Sequence, residues 1–520
     1  MGRFALLALL ALTPLRFPTS GSPAAQPSFR RGVTALHNFA YEDAVEAFRE
    51  AQRIDRDFAM AYWGEAMACN QTLWLNQDTA TARESLLRLG PTPEARAQKA
   101  PTDREKAYLR AVEILFGDGE RATRDRAYAE AMGKLAASYP EDLEAATFHA
   151  LALMGTVARS PALFNDGGDD GHQHALVGSE TQRQVAAILQ RVLARDPDHP
   201  GALHYLIHDF DDPEHARLAL PAARRYAKVA APSSHALHMP AHVFLQLGLW
   251  DDAAASDEAS FLASDAWVKR KGLAVGMRDY HSLSWLLYES LQQGRFQKAK
   301  ETLDLIRPAV EATGAPRLKV LLSDMRARYV VETRSYQELA GATSFDTSGE
   351  LFAIGVSAAR RGDSRTAEMA RAELARRASR GEPGGGGGRA LDVAVMEKEL
   401  AALVALTGRR GEEALARMQE AVVLEGQLPP PLGLPRPLKP ASELRGEILL
   451  ELGRPQEAAA AFAQALERAP NRSLALLGQA RAAAAGGDRE SARGYYGRFL
   501  ANWRGADPGL PELKEARGHP

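Results

Sequence analysis

The sequence predicts an all-α protein built from antiparallel helix pairs arranged in a repeating array. Three observations support this. Small and large residues recur at helical spacing, the pattern repeats with a fixed period near the C-terminus, and no segment sustains the two-residue alternation that marks strands. A single helix pair cannot bury its apolar face alone, so pairs of this kind stabilise one another by stacking.

The first helix pair is predicted between residues 32 and 57. Gly32 falls where the first helix needs a small residue, and Ala44, Phe48 and Ala51 take the small, large and small positions of the second helix. Small residues let two helices approach closely, and the large residue fills the groove between them. This segment therefore predicts one complete repeat.

The C-terminal region supplies the period. Ala458 and Ala492 hold equivalent places 34 residues apart, which is the period of the tetratricopeptide repeat (TPR). The pattern predicts a TPR-type α-solenoid, a superhelical array of antiparallel helix pairs. The supporting positions are Gly446, Phe462, Ala465, Pro470, Ala480 and Tyr496, and three central units are indicated by Ala216, Ala253 and Ala299.

Composition changes divide the chain. Arg3, an apolar stretch over residues 4–15 and small residues up to Ala25 are typical of a secretory signal, which predicts a periplasmic or secreted bacterial protein. Five glycines at 384–388 predict a loop, and the proline-rich residues 428–440 must leave the helix. The predicted parts are a signal peptide (1–25), a solenoid with a His-rich groove (26–380), a Gly-rich loop (381–389), a helical hairpin (390–428), a Pro-rich connector (429–440), a TPR pair (441–505) and a tail (506–520).

Composition also excludes several functions. The 64 basic and 66 acidic residues leave a net charge of −2, without the basic excess of a nucleic-acid-binding protein. The single cysteine, Cys69, excludes an intramolecular disulfide and a Cys-based zinc site. No segment after the signal has 18 uninterrupted apolar residues, so no membrane insertion is expected. Phosphate-loop, nucleophile-elbow and HExxH motifs are missing from the sequence.

Histidines concentrate in one part of the chain. Ten of the 13 fall between His172 and His281. His204 and His208 are four residues apart and share a helix face, and His235, His238 and His242 follow the spacing i, i+3 and i+7. Two imidazoles one helical turn apart are a common way to present ligands to one metal ion.

Repeat register places these histidines on the inner helices. If Ala216, Ala253 and Ala299 mark equivalent positions of three units, five histidines fall at positions that line the concave groove in TPR proteins, while His204 falls at a packing position. The sequence predicts that successive inner helices direct imidazoles into one pocket. The predicted metal ligands are His204, His208, His235, His238, His242 and His281.

Neutral imidazole is the commonest protein metal ligand, so the pocket is expected to take a divalent transition metal such as zinc, iron, copper or manganese. Two other interpretations stay open, namely a groove for a peptide or small molecule and a purely structural role. The candidate supporting carboxylates are Asp209, Asp211, Asp279 and Glu289, and the candidate supporting tyrosines are Tyr205, Tyr280 and Tyr288.

Other features carry simpler interpretations. Tyr62, Trp63 and Trp74 are expected to pack between helices. The Gly/Asp-rich residues 165–171 lack the spacing of a calcium-binding EF-hand. His172 and His174 after them are further ligand candidates in a solvated loop.

The sequence resembles a group of bacterial TPR proteins of uncharacterised function, and is distantly similar to the animal tetratricopeptide repeat protein 38 family in its His-rich helix and later His281, Trp285, Leu287 and Tyr288. The resemblance implies the fold and no particular activity. One departure is that the bacterial group has His-Pro after the residue matching Asn70, where this chain has Gln71 and Thr72. The matching stretches are residues 37–55, 58–70, 199–216, 235–253 and 439–462.

These observations predict an exported TPR scaffold that binds a protein, peptide or small ligand in its concave groove and carries a His-ligated metal site. The alternative is a metal-dependent enzyme, a hydrolase or an oxidase, that uses the same histidines. The sequence assigns no catalytic residue and no cofactor besides the metal.

Overall fold

A computed structural model describes residues 15–157, 179–230, 232–342, 345–380, 387–429 and 431–519. The chain forms two compact units. Of the described residues, the first unit contains 15–157, 179–211 and 218–240 apart from 231, and the second contains 212–217 and the described residues from 241 onward. The predicted signal residues 1–14, the loop 165–171, His172 and His174 lie outside the described residues.

The described residues are mainly helical, with almost no strands, which confirms the predicted all-α, TPR-type class. Up to residue 209 the helices are α1 (Gln26–His37), α2 (Tyr41–Ile54), α3 (Ala59–Met67), α4 (Thr79–Leu89), α5 (Pro93–Gln98), α6 (Asp103–Leu115), α7 (Arg121–Ser138), α8 (Leu143–Thr156), α9 (Glu180–Arg195) and α10 (Pro200–Asp209). Then come α11 (Ala216–Val229), α12 (Ser234–Gln246), α13 (Trp250–Lys271), α14 (Tyr280–Gln292), α15 (Phe296–Asp304), α16 (Arg307–Thr313), α17 (Pro316–Thr333), α18 (Ser348–Arg360) and α19 (Ser364–Arg380). The last are α20 (Gly387–Thr407), α21 (Gly411–Glu425), α22 (Ala441–Glu451), α23 (Pro455–Arg468), α24 (Ser473–Ala485), α25 (Arg489–Asn502) and α26 (Pro511–Arg517).

The first helix pair is α1 and α2, as the sequence predicts. A Cβ atom on Gly32 would lie only 2.7 Å from the ring of Phe48, and one on Gly64 of α3 only 2.3 Å from it. Phe48 is therefore packed between two glycine surfaces, and any side chain at either glycine would push the helices apart. Ala44, Phe48 and Ala51 are fully buried.

A small β-hairpin departs from the prediction of helices alone. Strands β1 (Asn70–Gln71) and β2 (Asn76–Gln77) pair antiparallel around a 3₁₀ turn, Thr72–Trp74. Asn70 holds the turn with its side chain, because its Nδ2 donates to Thr72 and its Oδ1 accepts from Gln77. Strands of two residues are too short to give the alternation by which sequence reasoning detects them.

Residues 15–25, which the sequence assigns to the signal peptide, include buried side chains. The ring of Phe17 is 2% exposed, and its centroid lies 5.3 Å from that of Tyr108, 5.5 Å from that of Phe29 and 5.8 Å from that of Trp63. Phe17 is thus a part of the first unit's core.

The C-terminal repeats in the second unit repeat the packing of the first pair. Phe462 on α23 lies against Gly446 of α22 and Gly478 of α24, where added Cβ atoms would approach its ring to 2.8 and 2.3 Å. Ala458, Ala465 and the later Ala480 are fully buried. The small and large positions predicted from the sequence are confirmed here.

A buried arginine joins these repeats to earlier helices of the same unit. Arg472 is 0% exposed, and its guanidinium donates to Glu443 on α22 at 2.7 Å and to Glu332 on α17 at 2.7 Å. It also donates to the hydroxyl oxygen of Tyr288 on α14 at 3.1 Å. Pairing with two carboxylates offsets the cost of burying this charge.

Two predicted breaks have different outcomes. The Gly-rich loop was predicted to include residues 387–389, but α20 already begins at Gly387, so this end of the prediction is wrong. The helix continues because the apolar residues that follow give it a face to bury. The proline-rich residues leave the helix as predicted, since they lie between the end of α21 and the start of α22.

Pro240 was expected to kink α12 or to delay its start. The helix runs through it from Ser234 to Gln246, so its start is not delayed. Among the described residues, no helix combines the length and the apolarity needed to cross a membrane.

Candidate metal centre

Helix α10 places two histidines in the interior of the first unit. His199 caps the helix with its side chain and Pro200 follows in the first turn, where a missing N–H is tolerated. His204 and His208 then lie one turn apart on the same face, and both are buried. His235 comes from the first turn of α12 and is only partly buried.

Three imidazole nitrogens converge. Nε2 of His204 lies 3.1 Å from Nε2 of His208 and 3.1 Å from Nε2 of His235, and the remaining Nε2–Nε2 distance is 3.4 Å. In a tetrahedral site with metal–nitrogen bonds of about 2.0–2.1 Å, two ligand nitrogens lie about 3.3–3.4 Å apart. The three atoms thus have the spacing of one face of a metal coordination tetrahedron.

A main-chain carbonyl orients His204. Its Nδ1 lies 2.6 Å from the carbonyl oxygen of His37, and because a carbonyl only accepts, Nδ1 carries the proton. In the neutral ring Nε2 is then the atom with the free lone pair. This is the tautomer that a metal ligand requires, and a carbonyl partner on the second nitrogen is the usual outer support of such a ligand.

Aromatic rings hold the triad. The Phe39 ring contacts all three imidazoles, with centroid distances of 4.5 Å to His204, 5.7 Å to His208 and 5.6 Å to His235. Phe39 has a φ of 55°, a left-handed conformation that is uncommon for a bulky residue. On the other side, Tyr226 stacks on His204 at 5.2 Å. Backbone strain held beside converging polar groups is a feature of functional sites.

Trp74 lies at the more open side of the triad. Its ring meets His235 edge-on at 5.2 Å and Phe39 at 5.4 Å, and it is only partly buried. Trp74 itself belongs to the 3₁₀ turn inside the β-hairpin, and its ring contacts Tyr41 of α2 and His235 of α12. Tyr62 and Trp63 do lie on α3 and are buried as predicted.

A second cluster adjoins the triad within the first unit. Nε2 of His37 lies 2.6 Å from a carboxylate oxygen of Glu144, and Nε2 of His199 lies 3.3 Å from the other. Tyr205, on α10, places its hydroxyl 3.0 Å from Nδ1 of His37. All four side chains are buried.

We interpret this second cluster as one hydrogen bond, between His37 and Glu144, with one ion-pair contact, between His199 and Glu144, instead of a metal site. Nδ1 of His199 accepts the main-chain N–H of Ala202, so its proton is on Nε2, toward Glu144. A metal on Nε2 would move that proton to Nδ1, where it would oppose the Ala202 N–H. Burial by itself would raise the pKa of Glu144, but the charges and hydrogen bonding of His37 and His199 outweigh burial and lower this pKa to about 2. Burial lowers the pKa of His37.

The other predicted ligands do not join the triad. His238 lies on α12, one turn before His242. His242 and His281 belong to the second unit, where both contact the Trp285 ring, with centroid distances of 4.6 and 5.3 Å. Among the described residues, the converging group around His204 consists of histidines alone.

The carboxylates and tyrosines that were predicted to support the metal site have other hydrogen-bond partners or lie elsewhere in the fold. Asp279 caps α14 by accepting the N–H of Ser282, Tyr280 donates to the carbonyl of Val275, and Tyr288 accepts from Arg472. Glu289 is buried beside Asp257, and burial raises the pKa of both groups. Asp209 and Asp211 are buried just after His208. Tyr205 is the one predicted tyrosine that supports the site, through His37.

Burial raises the pKa of the Cys69 thiol to about 12.

His37, Phe39 and Glu144 were missed by sequence reasoning. His37 is 167 residues before His204, so no spacing rule connects them. A partial signal existed, because His37 and Phe39 open the first stretch that resembles the bacterial group. The left-handed conformation of Phe39 leaves no signal in the sequence.

The fold and the triad define a TPR-type helical protein with a candidate metal centre. The family model described as tetratricopeptide repeat matches residues 441–472, and a second model of the same description matches residues 474–505. No curated protein matches the chain. The chain therefore contains TPR repeats, while the narrower bacterial group and tetratricopeptide repeat protein 38 stay predictions.

Two solved structures are similar to this chain. One is a chain of the APC/C hetero-tetramer Cut9–Hcn1, with 13% identity and a TM-score of 0.28, covering 97% of this chain and 78% of that chain. The other is the human IFIT1 dimer with m7Gppp-AAAA, with 14% identity and a TM-score of 0.30, covering 92% of this chain and 91% of that chain. Likeness at this level indicates no ligand or partner.

Proposed function

We propose that this protein is an exported TPR scaffold that binds a protein or peptide and holds a divalent transition metal on His204, His208 and His235. The observation that carries the metal site is the convergence of the three Nε2 atoms at 3.1–3.4 Å. The scaffold part rests on the TPR repeats, whose stacked helices commonly present peptide-binding surfaces.

The chemistry of the triad favours zinc, cobalt, copper or iron over magnesium or calcium, because its ligands are imidazoles and not oxygen atoms. The Phe39 and Tyr226 rings fix the orientation of His204 before any metal arrives. A site that is already organised loses less entropy when it binds. We therefore expect zinc to bind tightly to the folded protein.

The test is metal stoichiometry. Protein stripped with a chelator is titrated with zinc and followed by calorimetry, and its metal content is measured by mass spectrometry after dialysis. One zinc per chain that is lost in His204→Ala and in His208→Ala is the expected result. His149→Ala is the matched control, since His149 lies on α8 in the same unit and outside the triad. Equal zinc binding by all four proteins would refute the site.

A metal-dependent enzyme is the second candidate. Three protein ligands leave a coordination position for water, as in catalytic zinc sites, and the partly buried His235 lies at the more open side. Cobalt-loaded protein distinguishes the two. A visible spectrum that changes on addition of azide indicates an open position and favours an enzyme, whereas a spectrum indifferent to azide favours a closed, structural site.

Export is proposed from the charge and apolar pattern of residues 1–25. A fusion of these residues to alkaline phosphatase, which is active only outside the bacterial cytoplasm, tests it. Arg3→Glu, which removes the positive charge before the apolar stretch, is expected to reduce export. An inactive wild-type fusion would contradict the proposal.

A further inference from the structure

The proline-rich residues 428–440 are hereafter the proline segment. Apart from residue 430, which lies outside the described residues, the segment lies against successive helices of the second unit. Gln246 at the end of α12 donates to the carbonyl oxygen of Pro431 at 3.2 Å, and Arg328 on α17 donates to that of Pro435 at 3.1 Å. Each bond satisfies a main-chain carbonyl oxygen that has no helical hydrogen-bond partner, because the proline segment is not helical.

An aromatic ring underlies the middle of the segment. Gly433 is so close to Trp285 of α14 that an added Cβ would lie 2.6 Å from the indole. Arg436 extends to α20 and forms an ion pair with Asp392 at 2.8 Å. Gln246, Trp285, Arg328 and Asp392 together form what we call the segment-binding surface.

The chemistry of this surface matches extended proline-rich chains. Such chains have no internal hydrogen bonds, so their carbonyl oxygens are free to accept from side chains, and flat aromatic rings pack well beside them. Asp392 adds a preference for a basic residue at one position. Leu428 and Leu438, near the ends of the segment, are buried in the second unit's core and fix it there.

One donor on the surface has no acceptor. Arg328 is only 8% exposed, and its Nη1 is buried without a hydrogen-bond partner among the described residues. The segment engages Nη2 and leaves Nη1 unused. A buried unpaired donor is costly, so a ligand that offers a second carbonyl or a carboxylate there gains an interaction that the segment does not make.

We propose that the segment-binding surface recognises an extended, arginine-containing proline-rich peptide, and that residues 431–437 of the proline segment are its resident ligand, which such a peptide must displace. This rests on the scaffold part of the proposed function and is independent of the metal site. Because the resident ligand is tethered, its effective concentration is high, and an external peptide binds weakly while the segment is in place.

The test uses the full chain in two forms, the wild type and a released variant in which residues 431–437 are replaced by an equal length of Gly and Ser. The probe is a fluorescein-labelled peptide with the sequence of residues 428–440, followed by anisotropy. The released variant is expected to bind it at least about tenfold more tightly than the wild type. A peptide with every proline changed to alanine is expected to bind neither form.

Arg328→Gln in the released variant is expected to weaken binding about tenfold, since it removes a buried donor. Arg317→Gln is the control, because Arg317 is an exposed residue of the same helix. The inference is overturned if the released variant is folded by circular dichroism yet does not bind the peptide, or if the alanine peptide binds equally well. It is also overturned if both arginine variants bind alike.

A peptide display library separates this failure from failure of the scaffold itself. A released variant that ignores the proline peptide but selects other extended peptides retains the scaffold function and rejects proline recognition. A released variant that selects no peptide rejects both.

Discussion

The Nδ1 nitrogen of His204 lies 2.6 Å from the main-chain carbonyl oxygen of His37, a residue 167 positions earlier in the chain. This bond links the candidate metal centre to the buried network of His37, Glu144 and His199. The orientation of one proposed metal ligand therefore depends on side chains that do not touch the metal. Substitutions at Gly201 and at Glu144 test that dependence.

Gly201→Ala is expected to disturb the His37 ring. An added Cβ would lie 2.3 Å from Nδ1 of that ring, so we expect a loss of about 1–3 kcal/mol in the free energy of unfolding, measured with urea. Zinc affinity is expected to fall as well. Gly494→Ala is the control, since nothing lies near its Cβ and alanine favours helix by up to about 1 kcal/mol. Equal stability of both variants would contradict the proposed packing.

Glu144→Gln is expected to destabilise the protein by about 3 kcal/mol at pH 7, because the carboxylate faces two imidazole N–H groups. The pKa of Glu144 is about 2 in the folded protein, against an ordinary value of 4.5. Its stabilisation is thus complete above about pH 4.5 and lost as the pH falls through 2. Urea unfolding at pH 7, 5 and 3.5 should show the difference between wild type and variant shrinking only below pH 4.5. A difference that grows toward acid would exclude this role.

Glu399→Gln is expected to stabilise the protein, whereas Glu144→Gln is expected to destabilise it. Glu399 is 0% exposed, neither carboxylate oxygen has a partner among the described residues, and burial followed by the charge of Glu425 raises its pKa. The wild type therefore loses stability as the pH rises from about 4.5 toward the raised pKa. Thermal unfolding should show that the stability of the Glu399→Gln variant relative to the wild type increases from pH 5 to 8, by about 1 kcal/mol at pH 8. Glu467→Gln, at an exposed position, should show no such trend.

In the full chain, with residues 1–25 retained, Phe17→Ala is expected to cost about 3–5 kcal/mol, because it leaves a cavity between Phe29, Trp63 and Tyr108. Leu87→Ala in the same unit is the control, since Leu87 is 58% exposed and should change the free energy of unfolding by less than about 0.5 kcal/mol. If the two variants have the same melting temperature, Phe17 is not part of the stable core.

The sequence predicted the repeats because they are local patterns. Gly32 with Phe48, and Gly446 with Phe462, are each separated by a single helix hairpin, so spacing alone predicts their contact. His204 and His208 were predicted as a pair for the same reason. The β-hairpin at Asn70 and the early start of α20 escaped detection, since the first is too short for periodicity and the second opens with glycine.

The metal site was only partly predictable. Register grouped His235 with His208, and their Nε2 atoms lie 3.4 Å apart in the structure. It also grouped them with His242 and His281, which the structure places in the second unit. His204, which register placed at a packing position, is a central member of the triad. Its partner His37 could not be predicted, because contact across most of a unit depends on how all the intervening helices pack.

Arg472 bears on how the chain can be divided. Residues 441–505 carry the two recognised repeats, yet Arg472, the last residue of the first repeat, takes one of its two counter-charges, Glu332, and the Tyr288 hydroxyl from helices far upstream. A fragment that begins at residue 441 would lose both of these partners and the helices that carry them. The recognisable repeats are therefore not a self-sufficient module, and their boundaries in sequence are a poor guide to where this polypeptide can be cleaved without unfolding.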